Sequence, residues 1–123
     1  MTTSLASPVA VEYYYKVQWG FQEEFIDLFR KNHYPILAEQ VKSGRLLSVQ
    51  AFEPRFHGDG ASDWTFMTLL IFKDWQAFGD GSGTAEIIQR LYPDQEKYRI
   101  EEKRRFEILD AHWDVPLKSI PME

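Results

Sequence analysis

Trp64-Thr65-Phe66-Met67-Thr68-Leu69-Leu70-Ile71-Phe72, bounded by Asp63 and Lys73, is the longest nearly continuous apolar run in the chain. A run of this length, rich in aromatic and β-branched residues, is typical of a β-strand. Alternation places Trp64, Phe66, Thr68, Leu70 and Phe72 on one face and Thr65, Met67, Leu69 and Ile71 on the other. Neither face suits water, so we predict a central strand that is covered on both sides.

The segments on either side of this strand also follow clear patterns. Residues 46–56 predict a second strand, with Leu47, Val49 and Ala51 on one face and Ser48 and Gln50 on the other. Residues 57–62, including His57 in an exposed position, predict a hairpin turn into the central strand. The central strand is followed by a short helical turn over 75–78, capped by Asp74, and by a glycine-rich break over 79–83. Two predicted helices come next. One covers 84–91 and is capped by Thr84, and the other covers 93–104 with Tyr98 on its inner side.

The two ends of the chain supply the remaining elements. Residues 9–19 predict a strand with Val11, Tyr13, Tyr15, Val17 and Trp19 on one face and Glu12, Tyr14, Lys16 and Gln18 on the other. Residues 21–43 predict a helix that is kinked at Pro35 and ended by Gly44. Residues 106–115 predict a last strand with Leu109, Ala111, Trp113 and Val115 on one face and Asp110, His112 and Asp114 on the other.

The predicted order is therefore β-α-β-β-α-β, an α+β ferredoxin-like arrangement whose two middle strands contain Val11 and Trp64. Two helices can cover only one face of a four-stranded antiparallel sheet. The other face would be an apolar patch larger than soluble proteins normally expose, so we expect a homodimer formed through that face.

Size and composition limit the class of protein. The 123 residues predict one domain, 1–123, with an N-terminal tail over 1–8 and a C-terminal tail over 117–123. The net charge of −5, from 14 basic and 19 acidic residues, is not typical of a nucleic-acid-binding surface. The basic cluster Lys103-Arg104-Arg105 lies among glutamates, which predicts a solvated helix face. We expect a cytoplasmic protein, because neither a signal peptide nor a membrane-length apolar segment is visible.

The absence of cysteine excludes disulfides, thiolate zinc sites and cysteine nucleophiles. The three histidines lack the helical spacing of a metal site, so we expect none. The glycine-rich stretch 79–83 lacks the following Lys-Ser/Thr of a phosphate-binding loop and predicts a flexible connector.

Residues 11–115 resemble the dimeric α/β-barrel superfamily of ferredoxin-like domains. The resemblance rests on the element order, the Pro35-interrupted helix ending in Lys42-Ser43-Gly44, and the terminal His112-Trp113-Asp114-Val115-Pro116. It implies two sheets packed face to face, with a pocket in each subunit. The superfamily includes cofactor-independent antibiotic-biosynthesis monooxygenases, haem-degrading enzymes, isomerases and ligand-sensing domains. The first strand lacks the asparagine of the monooxygenase and haem-degrading members, which argues against transferring either activity.

Polar residues at alternating positions of three strands predict the site itself. If the apolar sets face the helices, these polar residues line a dimer-facing pocket with apolar walls from Trp64, Phe66 and Leu70. We expect a small, partly apolar ligand and no cofactor. His112 is the candidate acid/base and Asp114 its orienting partner. The candidate ligand-binding residues are Tyr14, Lys16, Gln18, Gln50, Trp64 and His33.

Each of these assignments has an alternative. His112 is alternatively a structural histidine at the dimer interface, and His33 a group that satisfies backbone atoms freed by Pro35. The whole molecule is alternatively a non-catalytic binding or sensing module, or a purely structural dimer with a filled interior.

Overall fold

The computed structural model describes residues 7–56 and 63–123. In this part of the chain the elements follow the predicted order, with both helical regions divided into shorter helices. They are β1 (Val9–Val17), α1 (Gln22–Asn32), α2 (Tyr34–Lys42), β2 (Leu46–Phe52), β3 (Phe66–Phe72), α3 (Trp75–Gly79), α4 (Thr84–Leu91), α5 (Gln95–Glu107) and β4 (Leu109–Pro116).

The four strands form one antiparallel sheet in the order β2-β3-β1-β4. The strand from the opening apolar run and the strand containing Val11 therefore occupy the middle, as the sequence predicted. β2 ends at Phe52, opposite Met67 of β3, and is shorter than predicted. The predicted turn over 57–62, with His57, lies outside the described residues.

The hydrophobic core lies between the sheet and the helices. On the strands the buried side chains all come from one face, which we call the helix face: Val11, Tyr15, Val17, Leu46, Phe66, Leu70 and Phe72. The helical segments contribute Phe25, Phe29, Leu37 and Ile108. Phe66 and Leu70, predicted as walls of a dimer-facing pocket, therefore lie under the helices instead. β3 is buried at every second residue, and the helices cover that half.

The opposite side of the sheet, the open face, carries a mixed but largely apolar set. Cross-strand pairing places these residues together: Glu12, Tyr14 and Lys16; Ser48, Gln50 and Phe52; Met67, Leu69 and Ile71; Ala111, Trp113 and Val115. Among the described residues, no side chain of this set belongs to the buried core. The chain by itself thus leaves one side of its sheet partly uncovered.

The predicted separation of His112 and Asp114 from Ala111, Trp113 and Val115 is confirmed, but the condition that the apolar set of β4 faces the helices does not hold. Ala111, Trp113 and Val115 pair with Lys16, Tyr14 and Glu12 and so lie on the open face, whereas His112 and Asp114 lie on the helix face. A register shift occurs where Lys16 pairs with Ala111 but Val17 pairs with Leu109. This bulge turns Leu109 towards the core, so the alternation expected over the whole strand does not hold.

The first helical region breaks where Pro35 predicts. α1 ends at Asn32 and α2 begins at Tyr34, with His33 between them. Gly44 has a φ of 88°, the left-handed conformation that ends α2 and that other residues adopt at a cost.

The later helices show which predicted caps form. The Asp74 carboxylate accepts a 2.7 Å hydrogen bond from the Ala77 N–H and caps α3, as predicted. Thr84 does not cap α4. Gly83 occupies that position, and the Thr84 hydroxyl accepts from the buried Gln40 amide at 3.1 Å instead.

Two other boundaries also differ from the prediction. Asp94 caps α5, which extends to Glu107 and delays the start of β4 to Leu109. Beyond β4, residues 117–123 have no regular secondary structure. None of the described helices combines the length and apolar character needed to cross a lipid bilayer.

Candidate functional site

The residues predicted to form one site are divided between the two sides of the sheet. Tyr14, Lys16 and Gln50 share the open face. His112 and Asp114 point to the helix side, opposite Tyr15 and Tyr13 of β1. The assumption that all the polar alternate positions line one pocket is therefore wrong, because the apolar side of β4 faces the opposite way from that of β1.

His112 is held in place by three neighbours. Its ring stacks on Tyr15 with centroids 4.2 Å apart, its Nδ1 lies 2.9 Å from the Tyr14 carbonyl oxygen, and its Nε2 lies 3.4 Å from Asp114 Oδ1. Phe106 approaches the same ring edge-on. β4 is an edge strand, and the side chains of His112 and Asp114 remain 29% and 49% exposed. The pair is thus fixed at the margin of the helix face.

Three aromatic residues form a cluster on the open face. The Tyr14 ring stacks on Trp113 at 5.4 Å and meets Trp64 edge-on at 5.5 Å. The Tyr14 hydroxyl donates to Glu12 at 3.0 Å, and partial burial together with this carboxylate raises its pKa. Trp64 was predicted on the face of Phe66, but β3 begins only at Phe66, so strict alternation does not apply to Trp64. Tyr14 therefore links Trp64 and Trp113 into one aromatic cluster.

Two further predicted residues lie near the helix ends. Gln18 donates its side-chain amide to the Glu107 carbonyl and its backbone N–H to the Ile108 carbonyl. It therefore joins the end of β1 to the end of α5. His33 lies at the break between α1 and α2, with its ring edge-on to Phe29 at 5.0 Å. Burial, together with the charges of Arg105 and His112, lowers the pKa of His33 to about 3.

A cavity of about 350 Å³ opens between the sheet and the helices. We call it the helix-side cavity. It is lined by the helix face of β1 and β3 and by side chains of α2, α4 and α5. The residues that line it include Tyr13, Tyr15, Thr68 and Leu70; His33, Ile36, Leu37 and Gln40; Arg45; Thr84 and Ile88; and Tyr98, Glu102, Arg105 and Phe106. Apolar walls with few polar groups are typical of small-molecule sites.

Arg105 is the most unusual residue of this cavity, because its side chain is only 2% exposed. Its Nε and Nη2 donate to the two carboxylate oxygens of Glu102 at 3.0 and 2.9 Å. The guanidinium also lies on the rings of Phe25, Phe29 and Phe106, with Phe106 closest at 4.6 Å. The prediction that Lys103-Arg104-Arg105 forms a solvated face is wrong for Arg105. The spacing of Tyr98, Glu102 and Arg105 on one side of a helix was the available signal.

One atom of Arg105 remains without a hydrogen bond. Within the described part of the chain its Nη1 is buried and has no acceptor. Burial raises the pKa of Tyr15 to about 12, and the nearby Arg105 guanidinium opposes that rise. A buried guanidinium N–H without an acceptor is costly.

A second cleft, of about 420 Å³, lies beside the α2–β2 turn. Arg45, Lys73 and Asp80 contribute its charges. The Arg45 guanidinium donates to the carbonyls of Ala77 and Phe78 at 2.9 and 3.1 Å, so it is committed to holding α3. The main hydrogen-bond donor of this cleft is therefore not available to a ligand. Within residues 7–56 and 63–123, no three His, Asp or Glu side chains are grouped as metal ligands.

Known proteins share this fold. No protein-family model matches the chain, and no curated protein matches it. The chain is similar to a NIPSNAP family protein from Agrobacterium tumefaciens, with 15% identity, a TM-score of 0.56 and coverage of 100% of this chain and 95% of that one. It is also similar to SnoaB, a cofactor-independent oxygenase from Streptomyces nogalater, with 13% identity, a TM-score of 0.56 and coverage of 95% and 97%.

A third similar structure is a dimeric protein of unknown function and ferredoxin-like fold from Bacteroides fragilis, with 12% identity, a TM-score of 0.51 and coverage of 91% and 96%. At these identities the likeness shows the fold alone. The chain shares the ferredoxin-like fold of these structures, which confirms the predicted fold class.

The depressed pKa of His33 predicts a specific pH dependence of stability. The unfolded histidine binds a proton below about pH 6.5, whereas the folded one stays neutral down to about pH 3. Unfolding therefore takes up one proton between these values, and stability falls with decreasing pH by up to about 1.4 kcal/mol per unit. Urea unfolding at pH 7, 6 and 5 measures this slope. We expect His33→Gln to flatten it, and an unchanged slope in the variant would exclude His33 as its source.

Proposed function

We propose that this protein binds a small, partly apolar molecule in the helix-side cavity. The observation that carries the proposal is the cavity of about 350 Å³ between sheet and helices, with aliphatic and aromatic walls and a buried arginine. A volume of this order is enough for a ligand of modest size. Of the predicted ligand-binding residues, His33 lines this cavity, whereas Tyr14, Lys16 and Gln50 face the other side of the sheet.

Filling the cavity tests this proposal. Ile88 contributes to the lining from α4 and is only partly buried, so Ile88→Trp should place an indole in the cavity without disturbing the core. We expect wild-type protein to retain a ligand, or the added probe 2-acetylnaphthalene, and the variant to retain neither. Native mass spectrometry of gently purified protein measures retention.

Ile100→Trp is the matched control, because Ile100 is 61% exposed on α5 and is not among the cavity-lining residues. It should retain ligand as the wild type does. Equal retention by all three proteins, or no retention of the probe by any of them, contradicts the proposal.

We also propose that two copies of the chain pair through the open face. The face is largely apolar around Tyr14, Leu69 and Trp113, and the Bacteroides fragilis protein of the same fold is described as dimeric. Covering such a patch with a second copy removes apolar surface from water, which is the main driving force of association.

A charge at the centre of the open face should separate the subunits. Leu69 lies between Glu12 and Gln50 on the neighbouring strands, so Leu69→Glu places a carboxylate beside another carboxylate. Sedimentation should give twice the 14.5 kDa chain mass for the wild type and the chain mass itself for the variant. Lys103→Glu, at an exposed position of α5, should remain dimeric. A monomeric wild type would exclude this pairing.

A second candidate function is cofactor-independent monooxygenase or isomerase chemistry with His112 as the acid/base. The contacts of His112 with Asp114 and the Tyr14 carbonyl favour it, because they orient the imidazole. SnoaB, with the same fold, is a cofactor-independent oxygenase. In that case His112→Ala abolishes turnover of an identified substrate while dimerisation and ligand retention persist. His112 is not among the residues that line the cavity, which favours binding without catalysis.

A further inference from the structure

The inference rests on the proposed function and concerns the chemistry of the ligand. Arg105, which lines the helix-side cavity, has one buried polar atom that the described chain leaves without a hydrogen bond, Nη1. The other two guanidinium nitrogens are used by Glu102, in a bidentate pair. The side chain is 2% exposed, so solvent does not supply the missing acceptor. A ligand bearing an oxygen acceptor would supply it.

The charges around Arg105 indicate whether the oxygen acceptor of the ligand is charged or neutral. Glu102 already neutralises the guanidinium at this end of the cavity. A second carboxylate here would lie beside Glu102 and would have to be desolvated without a counter-charge of its own.

The other basic groups do not change this balance. Arg45 also lines the cavity, but its guanidinium is directed to the carbonyls of Ala77 and Phe78 at the end of α3. His33 is neutral at physiological pH because its pKa is lowered to about 3.

We propose that the helix-side cavity selects neutral molecules with a mainly apolar body and one oxygen acceptor, such as a ketone or ester, and that Arg105 Nη1 donates to that oxygen. The apolar body contacts the aliphatic wall formed by Leu37, Leu70 and Ile88. Nη1 is itself out of contact with solvent, so a neighbouring side chain moves when the ligand enters. Phe106 is the candidate, because its ring lies on the guanidinium and is 49% exposed.

Three probes with the same aromatic skeleton test the proposal: 2-acetylnaphthalene, 2-ethylnaphthalene and 2-naphthoate. Equilibrium dialysis against the intact wild-type protein measures their dissociation constants. We expect the ketone to bind at least about tenfold more tightly than the hydrocarbon, since a hydrogen bond from a charged donor contributes that much. We also expect the ketone to bind more tightly than the carboxylate.

Arg105→Met then identifies the donor. It should reduce ketone binding to the level of the hydrocarbon and leave hydrocarbon binding unchanged, because the apolar wall remains. If the single variant does not fold, Glu102→Leu/Arg105→Met removes both charges together and serves the same purpose.

The other outcomes distinguish the role of Arg105 from the existence of the binding site. Equal binding of ketone and hydrocarbon to the wild type overturns the role of Arg105 but leaves the proposed function standing. Tightest binding of 2-naphthoate overturns the selection for neutral molecules. Binding of none of the three probes overturns the proposed function and this inference with it.

Discussion

Glu102→Ala should lower the free energy of unfolding by about 3 kcal/mol, because it leaves the Arg105 charge buried without its partner. Arg105 is 2% exposed, and its two hydrogen bonds to Glu102, at 3.0 and 2.9 Å, pair it with a side chain that is itself only 18% exposed. Urea unfolding at a fixed protein concentration, followed by circular dichroism, measures the loss. The concentration must be constant because the proposed dimerisation would contribute to apparent stability.

Two controls show whether burial of the charge causes this loss. Glu24→Ala removes the partner of Arg104 from a pair with similar two-point geometry, but both side chains are more than 40% exposed. Solvent screens that pair, so the loss should be much smaller. Glu102→Leu/Arg105→Met should recover most of the stability lost in Glu102→Ala, because no unpaired charge remains. If the double variant is as unstable as Glu102→Ala, the loss of stability comes from packing rather than from an unpaired charge.

Phe25→Ala should lower the free energy of unfolding by about 4 kcal/mol, which is typical of removing a buried aromatic ring. Phe25 is fully buried on α1 and touches the rings of Tyr15, Phe29 and Phe66 at centroid distances of 5.1, 6.2 and 5.5 Å. Its neighbours come from two strands and one helix, so they cannot collapse together into the space left behind.

Phe56→Ala is the matched control, since the same atoms are removed from a side chain that is 85% exposed. Its stability should remain close to that of the wild type. A loss of less than about 1 kcal/mol in Phe25→Ala would show that the site refills, and would contradict the packing described for the α1–sheet contact.

Much of the fold follows from local patterns in the sequence. The apolar run of β3 predicts a central strand, Pro35 predicts the break between α1 and α2, and Gly44 predicts the end of α2. Each of these depends on the conformational limits of a residue or on a period of two, and so needs no knowledge of distant contacts. The separation of β1 into two faces was also predictable over Val11 to Val17, whereas Trp19, predicted on the same face as Val11, lies beyond the strand and is 90% exposed.

The candidate site was less predictable, because it depends on how elements meet. Alternation in β4 separates His112 and Asp114 from Ala111 and Trp113 but does not say which set faces the helices. The open face is itself largely apolar, so the apolar set of an edge strand fits there as well as against the core.

The sequence by itself therefore determined the strands, the helical regions and their order. The tertiary structure alone decided that β4 presents His112 to the helix face and that Arg105, within a highly charged segment, is buried beside a cavity. The physical reason is that hydrophobic alternation shows only that the two sides of a helix or strand differ in polarity. Burial of either side depends on distant segments that pack against it, here Phe25 and Phe29 against Arg105.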